Sequence, residues 1–78
     1  MLGFAMEHES LKKAVEIIGS QTALGKAVGK SQAHVWAWLN RDKRAPAEHV
    51  IAIEKATGVP RYELRPDIYP PEEYKKAS

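Results

Sequence analysis

The chain has 78 residues, a formal net charge of +2 and no cysteine. This length predicts one small domain, near the lower limit for a hydrophobic core that folds without disulfides or a bound metal ion. The lack of cysteine excludes disulfides and thiolate metal sites. No apolar run reaches the ~20 residues of a membrane-spanning helix, and residues 1–6 are too short and lack the basic start of a signal peptide. We therefore expect a protein of the reducing cytoplasm that does not enter a membrane.

Apolar periodicity and capping signals divide the first half of the chain into three short helices. Apolar residues recur at three- and four-residue spacing over residues 9–19, which predicts an amphipathic helix that ends at a glycine. Ser20 suits the cap of a second helix, residues 21–29, which also ends at a glycine. After a three-residue turn, Ser31 can cap a third helix over about residues 32–39. Two short helices joined in this way indicate a helix-turn-helix unit.

The second half of the chain completes an all-α pattern. Pro46 fixes the start of a fourth helix over residues 47–57, and residues 61–64 form a final helical turn. Residues 68–71 contain two consecutive prolines and are expected to be extended. The predicted fold is a compact all-α bundle of four to five short helices. We divide the chain into a flexible N-terminal extension at residues 1–8, a helix-turn-helix domain at residues 9–69 and a charged C-terminal tail at residues 70–78.

The helical stripes give a predicted core, and one glycine interrupts them. Gly25 lies inside the second helix, where glycine costs about 1 kcal/mol relative to alanine. We expect that it permits a close crossing by the following helix, rather than that a poor helix former is simply tolerated there. The predicted core residues are Leu11, Ala14, Val15, Ile18, Ala23, Leu24, Ala27, Val28, Val35, Trp38, Leu39, Val50, Ile51, Ile53, Ala56 or Thr57, Tyr62 and Leu64.

The third helix presents an outward face of short, uncharged side chains that can hydrogen-bond. A helix needs such a face when it approaches base edges in a DNA groove. A glutamine can pair bidentately with adenine or orient on the backbone, and small alanines can touch a thymine methyl group. Three roles stay open for Trp36: partial cover of the core, packing on sugar-phosphate, or contact with a partner subunit. The predicted base contacts are Gln32, Ala33, His34, Trp36 and Ala37.

The basic residues flank this face instead of occupying it. Between Lys26 and Arg44 there are five basic residues and one acid, whereas from Ala45 onward there are five basic residues and six acids. A charge run is most often a solvated connection, but here it follows the helix that would lie in a groove, where phosphate oxygens would be found. The loop residues that we predict to contact phosphate are Arg41, Lys43 and Arg44.

Signals for an enzyme are missing from the sequence. It contains no glycine-rich phosphate loop and no nucleophile paired with a base. His34 has no second histidine, cysteine or carboxylate at ligand spacing, so a metal role is not expected. We predict no catalytic residue, no cofactor and no metal.

Three segments together carry a family resemblance over about residues 11–69. They are G-S-Q-T-A-L-G-K-A-V-G-K-S-Q-A-H-V-W-A-W-L-N, then R-A-P-A-E-H-V-I-A-I-E-K-A-T-G, then E-L-R-P-D-I-Y. They resemble the YdaS-type Cro-like family of small prophage-associated helix-turn-helix regulators, which have a lambda-repressor-like fold. The resemblance implies five helices, a bacterial or phage protein, and repression through operator DNA, often by a homodimer. It also allows an antitoxin role, since some relatives are described as antitoxin components beside a toxin gene.

The resemblance also implies roles for single residues. Gln21 stands where the family contacts phosphate and braces the recognition helix, and Asn40 where a phosphate contact is usual. Gln32, Ala33 and Ala37 fall where base edges are contacted. These correspondences agree with the outward face described above.

Two residues depart from the family pattern, and one rival function stays open. Gly25 stands where alanine is common, and Lys30 replaces an apolar turn residue, which adds a further predicted phosphate contact.

The rival interpretation is a protein-interaction module that binds a toxin or another partner instead of reading DNA. For a dimer surface, the candidates are Ile68, Tyr69 and the first residues, whose apolar groups lie outside the predicted core.

Overall fold

Helices form all the regular structure in the part of the chain that the computed structural model describes, which is residues 2–72, with side chains from residue 6. The predicted all-α bundle is therefore confirmed, and residues 73–78 of the predicted tail lie outside this range. A 3-10 turn, Ala47–His49, leads into the fourth helix. The α-helices in the described range are α1 (Leu2–Ile18), α2 (Gln21–Val28), α3 (Gln32–Ala37), α4 (Val50–Thr57) and α5 (Arg61–Leu64).

The first helix is longer than predicted. It begins at Leu2 and not at Glu9, so the predicted start was wrong. Two polar residues in its first half, Glu7 and Ser10, are buried. A search for apolar periodicity does not find contacts made at polar positions such as these.

Serine and glycine set the limits of α2 as predicted. The Ser20 hydroxyl oxygen accepts a hydrogen bond from the Ala23 N–H at 3.0 Å, which satisfies one of the free donors at the start of the helix. At the other end Gly29 has φ +77°, a left-handed conformation that glycine adopts without a steric penalty. The turn that leads to α3 therefore starts at a position where other residues would be strained.

One core joins the helices, and α1, α2 and α4 pack against one another around it. Each fully buried leucine or isoleucine in it stabilises the fold by roughly 1.5–3 kcal/mol. Ala45 and Val59 belong to this core although the sequence stripes did not include them. Tyr69 is partly buried and packs against the core, so the prediction that its apolar group lies outside the core was wrong. The buried apolar residues are Leu11, Ala14, Leu24, Val35, Trp38, Leu39, Ala45, Val50, Ile53, Val59 and Leu64.

The chain leaves α3 through a π-helical turn, Trp38–Asp42, and not at residue 39 as predicted. Lys43 then adopts φ +62°, and both its N–H and the Arg44 N–H donate to the Trp38 carbonyl oxygen. A left-handed conformation is uncommon for a lysine, and the two hydrogen bonds help to hold it. This turn fixes where the basic loop leaves the helix.

The segment after α5 folds back in a turn and is not extended as predicted. The N–H groups of Ile68 and Tyr69 both donate to the Arg65 carbonyl oxygen, at 3.2 and 2.9 Å. Arg61 lies over the Tyr69 ring, 5.7 Å from its centroid, and also donates through Nε to Glu54 at 2.8 Å. These contacts hold the C-terminal turn against α4 and α5.

An ionic network joins three parts of the chain that are far apart in sequence. The Arg65 guanidinium donates to both carboxylate oxygens of Asp67, at 2.9 and 2.8 Å, and to the Ala45 carbonyl oxygen at 3.0 Å. Arg44 pairs with Asp67 at 3.4 Å and with the buried carboxylate of Glu7 at 3.6 Å. The hydrogen bonds from Arg65 lower the pKa of Asp67 below its ordinary value. The network thereby ties α1 to the basic loop and to the C-terminal turn.

Replacing Asp67 by asparagine should reduce stability in a pH-dependent way. Because the folded-state pKa of Asp67 is lowered, its contribution is complete above the unfolded pKa of about 4 and is lost as pH falls through the folded value. Urea unfolding of both proteins should therefore show a larger difference in the free energy of unfolding at about pH 6 than at about pH 2.5. A difference that stays constant over this range would contradict an ionised Asp67 in the network.

The interior glycine of α2 faces the backbone of the turn. The Lys30 N–H donates to the Gly25 carbonyl oxygen at 2.7 Å. A Cβ atom built on Gly25 would lie 2.6 Å from the Lys30 carbonyl oxygen and 3.1 Å from the Ser31 carbonyl carbon. The predicted close approach at Gly25 is confirmed, although the turn makes it and not α3 itself.

Gly25→Ala should therefore destabilise the fold, although alanine is the better helix former. We expect a loss of about 1–3 kcal/mol in the free energy of unfolding, because the turn backbone must move to admit the methyl group. Thr22→Ala, at an exposed position of the same helix, is the matched control and should change stability by less than about 0.5 kcal/mol. Denaturant unfolding measures both, and a Gly25→Ala protein as stable as the unaltered chain would refute the steric argument.

Candidate nucleic-acid interface

The α2–turn–α3 unit, residues 21–37, contains the predicted base contacts and is tied to the core from both helices. Leu24 of α2 and Val35 of α3 are fully buried, and Val28 packs against the same cluster. Residues 29–31 form the turn between the helices. Because both helices are anchored from their inner sides, the outer side of α3 is left to solvent.

A reciprocal pair of hydrogen bonds starts α3. The Ser31 hydroxyl oxygen accepts from the His34 N–H at 3.4 Å, while His34 Nδ1 accepts from the Ser31 N–H at 3.4 Å. The hydroxyl and Nδ1 are also 2.8 Å apart. The sequence predicts the serine cap but not the histidine, which here takes the place that glutamate or glutamine usually has in a capping box. His34, a predicted base contact, therefore retains only its Nε2 for an external partner.

A hydrogen bond connects the first residues of α2 and α3. Gln32 Nε2 donates to Gln21 Oε1 at 2.5 Å. This contact agrees with the bracing role that the family resemblance implies for Gln21. It leaves Gln32 with its own Oε1 and a second N–H, which is the donor and acceptor pair that a bidentate contact to adenine requires.

The predicted base contacts do not all share the same exposure. Ala37 is only partly exposed, so it lies nearer the core than the sequence predicted. Trp36 is 53% exposed, whereas Trp38 is 6% exposed and its ring lies 5.6 Å from that of His49. The open part of the face consists of Gln32, Ala33, His34 and Trp36.

The predicted phosphate contacts differ in whether a carboxylate of the protein already pairs with their positive charge. Within the described residues, Lys30 and Lys43 are exposed and have no carboxylate within ion-pair distance. Arg41 donates to both carboxylate oxygens of the adjacent Asp42, at 3.0 and 3.3 Å. These hydrogen bonds raise the pKa of Arg41 and lower the pKa of Asp42. Arg44 is held by the two carboxylates of the ionic network described above.

The two amide residues that the resemblance assigns to phosphate lie together in one groove. Asn40 Nδ2 donates to the Trp36 carbonyl oxygen at 2.9 Å, which leaves one N–H of that amide. Gln21 and Asn40 both line a groove beside α1, and Lys12 of α1 lines it too. No sequence signal points to Lys12, since it stands on the polar side of α1 without a motif around it.

Among the described residues, no group of three or more histidine, cysteine, aspartate or glutamate side chains is arranged to hold a metal ion. In the same part of the chain, no helix is both long and apolar enough to cross a membrane.

The fold and the site define a small all-α domain with an α2–turn–α3 unit and an exposed, uncharged helix face. The profile of the family described as "Bacterial toxin YdaS" matches residues 11–73, and the chain belongs to this family. It is similar to a protein of Escherichia coli (strain K12) named "Putative transcriptional regulator YdaS", with 41% identity over 64 residues. The matched segment covers 80% of this chain and 65% of that protein, less than two thirds of its length. No solved structure gives a significant match.

Proposed function

We propose that the protein is a sequence-specific DNA-binding regulator, a Cro-like repressor that reads operator DNA with α3 of a helix-turn-helix unit. The observation that carries this proposal is the exposed, uncharged face of α3 with cations at both ends. Lys30 precedes the helix, and Arg41 and Lys43 follow it. The name of the Escherichia coli relative, a transcriptional regulator, agrees with this function.

The dimensions of this segment suit the major groove of DNA. From Gln32 to Asp42, α3 and the π turn contain 11 residues, which at ~1.5 Å per residue gives roughly 15 Å. The major groove is about 12 Å wide and admits one helix. The cations before and after the segment would then lie near the phosphates on the two sides of the groove.

Gln32 is the proposed centre of base recognition. Its carboxamide is oriented by Gln21, so the remaining donor and acceptor can be presented together to one base edge. Ala33 next to it offers a methyl group and no bulk, so it permits close approach and contact with a thymine methyl. Ala37 is less exposed and contributes less to this surface.

Repression would require a stable complex at a promoter, for which we propose a homodimer on a two-fold operator. Two copies of α3 would then enter successive major grooves, with half-sites about 10 base pairs apart. Ile68 is 43% exposed and stays a candidate for the dimer surface. Sequencing the genomic DNA fragments that the purified protein retains would test both DNA binding and this spacing.

The second candidate function is binding to a partner protein, as a toxin or an antitoxin component would do. Its support is Trp36, a large apolar side chain exposed on α3, together with the family description as a bacterial toxin. The description of the family as a toxin and the name of the relative as a transcriptional regulator are compatible if the protein harms cells by repressing a promoter. In that case Gln32→Ala should relieve growth arrest caused by overproduction, whereas a toxin that acts on a protein partner through Trp36 would be relieved by Trp36→Ala alone.

Base recognition and phosphate contact should respond differently to substitution. Gln32→Ala should reduce the preference for operator over unrelated DNA by ~1–3 kcal/mol, because a base-specific pair is lost. Lys43→Ala should weaken binding to every duplex and reduce the salt slope by about 0.9, because one phosphate contact is lost. Fluorescence anisotropy titrations at several salt concentrations measure both effects.

The matched control is Lys55→Ala, which removes the same charge from an exposed position on α4. It should change the salt slope much less than Lys43→Ala does. Equal slopes for the two lysine variants, with unchanged operator preference in Gln32→Ala, would reject the proposed reading of DNA by α3.

Asp42→Asn should strengthen DNA binding. Asp42 occupies the guanidinium of Arg41 and places a negative charge beside the proposed phosphate contacts. Its removal frees Arg41 for phosphate, so we expect tighter binding to all duplexes and a salt slope steeper by up to about 0.9. Glu48→Gln removes the same charge from an exposed position before α4 and is the control. Weaker binding by Asp42→Asn would mean that the aspartate positions Arg41 productively.

A further inference from the structure

The hydrogen bonds between Ser31 and His34 fix which nitrogen of the His34 ring carries hydrogen. Nδ1 accepts from the backbone N–H of Ser31 at 3.4 Å and lies 2.8 Å from the Ser31 hydroxyl oxygen. That oxygen accepts from the His34 N–H, so the hydroxyl hydrogen is available to Nδ1. Because a backbone N–H can only donate, the ring nitrogen that accepts from it bears no hydrogen of its own.

Nε2 of His34 is therefore a hydrogen-bond donor and not an acceptor. A neutral imidazole has a single N–H, which must be at Nε2 when Nδ1 accepts, and a charged imidazole has an N–H at Nε2 as well. Nε2 accepts only in the tautomer with hydrogen on Nδ1, and the Ser31 N–H opposes that tautomer. His34 is exposed, and no hydrogen bond within the described residues engages its Nε2.

His34 lies on one side of the open α3 face and Gln32 on the other. Successive residues of an α-helix are about 100° apart around its axis, so the two lie about 200° apart with Ala33 between them. They can therefore reach different base pairs of one duplex. Gln32 has a donor and an acceptor, as adenine requires, whereas His34 has a donor alone and requires a base edge that accepts.

Guanine presents such an edge in the major groove. Its N7 and O6 both accept, whereas adenine has an N6 donor beside N7, and cytosine presents only its N4 donor. Thymine O4 accepts too, but the C5 methyl group lies beside it. A donor fixed at Nε2 thus favours guanine and opposes cytosine at the same position.

We propose that His34 is a specificity-determining residue that donates from Nε2 to N7 of a guanine in the operator. This inference rests on the proposed DNA-binding function and adds a second base position to the one read by Gln32. Ser31 acts as a positioning residue, because its backbone and hydroxyl set the tautomer of the ring. A half-site then contains an adenine read by Gln32 and a guanine read by His34.

Nuclear magnetic resonance of the isotope-labelled chain without DNA tests the tautomer. Long-range couplings from the carbon-bound ring hydrogens show which nitrogen bears hydrogen, and at about pH 8 an imidazole is ordinarily neutral. Comparison with His34→Glu, in which the His34 signals are lost, assigns them. We expect hydrogen on Nε2, and a ring with hydrogen mainly on Nδ1 would overturn the proposal.

Selection from a duplex pool with a random segment of about 20 base pairs, long enough for two half-sites, tests the base that is read. The unaltered chain should enrich a guanine at a position where His34→Glu has no preference. Glutamate can still complete the capping box with Ser31 but has no donor, so the variant removes only the proposed contact and adds a negative charge.

A base analogue then isolates the contact from that added charge. At the enriched guanine, 7-deazaguanine lacks the N7 acceptor and should weaken binding by the unaltered chain about 2- to 10-fold. The same replacement should change the affinity of His34→Glu less than about 1.5-fold, and comparing two duplexes on one protein cancels the charge effect. Gln32→Ala is the control, which should lose the adenine preference and keep the 7-deazaguanine effect.

The outcomes separate this inference from the function on which it rests. If the unaltered chain enriches a sequence but His34→Glu enriches the same guanine, or shows an equal 7-deazaguanine effect, the role of His34 is overturned and DNA reading by α3 stands. If the unaltered chain enriches no sequence, both are overturned. Thermal unfolding checks the fold of each variant, and the spectrum of the unaltered chain tests the tautomer even if His34→Glu unfolds.

Discussion

The close contact between the turn and Gly25 is the constraint on which the placement of the exposed α3 face depends. The Lys30 backbone donates to the Gly25 carbonyl, and its own carbonyl oxygen occupies the space of a side chain at position 25. Backbone contact at Gly25 therefore holds the turn that leads into α3 directly against α2. It also brings Gln32 within hydrogen-bonding distance of Gln21. The family resemblance places alanine at this position, and the turn in this chain approaches too closely to admit it.

A second constraint acts in the basic loop, where some cations are held by carboxylates within the fold and others are exposed to solvent. The left-handed Lys43 and the π turn before it direct the loop away from α3, and Arg44 is then held by Glu7 and Asp67. Arg44 thereby anchors the loop, while Lys43, the residue before it in the chain, stays exposed. A run of basic residues that looks uniform in the sequence thus contains different roles. Under the proposed function, the anchored arginine would hold the free lysine in position.

Local signals predicted much of the fold, whereas contacts distant in sequence were missed. Ser20, Gly29 and the apolar stripes act within one or two helical turns, so the sequence shows them directly. The part of α1 that the sequence did not predict contains the buried Glu7 instead, whose partner Arg44 is far along the chain. Tyr69 joins the core only because the C-terminal turn folds back. For the site, the α3 face followed from helical spacing, but the groove beside α1 depends on how three elements pack.

Among the described residues, few cations beside α3 are free of carboxylate partners, and this bears on the assembly that the proposed function requires. Each phosphate contact contributes a salt slope of about 0.9, so a domain with Lys30, Lys43 and a partly neutralised Arg41 gains little affinity from the backbone alone. Low non-specific affinity favours discrimination, because fewer unrelated sites compete with the operator. Under the proposed function, it would also leave one domain too weak to hold a promoter, since the proposed base contacts are few. Joining two domains on adjacent half-sites makes the second binding event intramolecular, which raises overall affinity without adding charge. Under the proposed function, a weakly charged α3 face would therefore require binding to a two-fold operator.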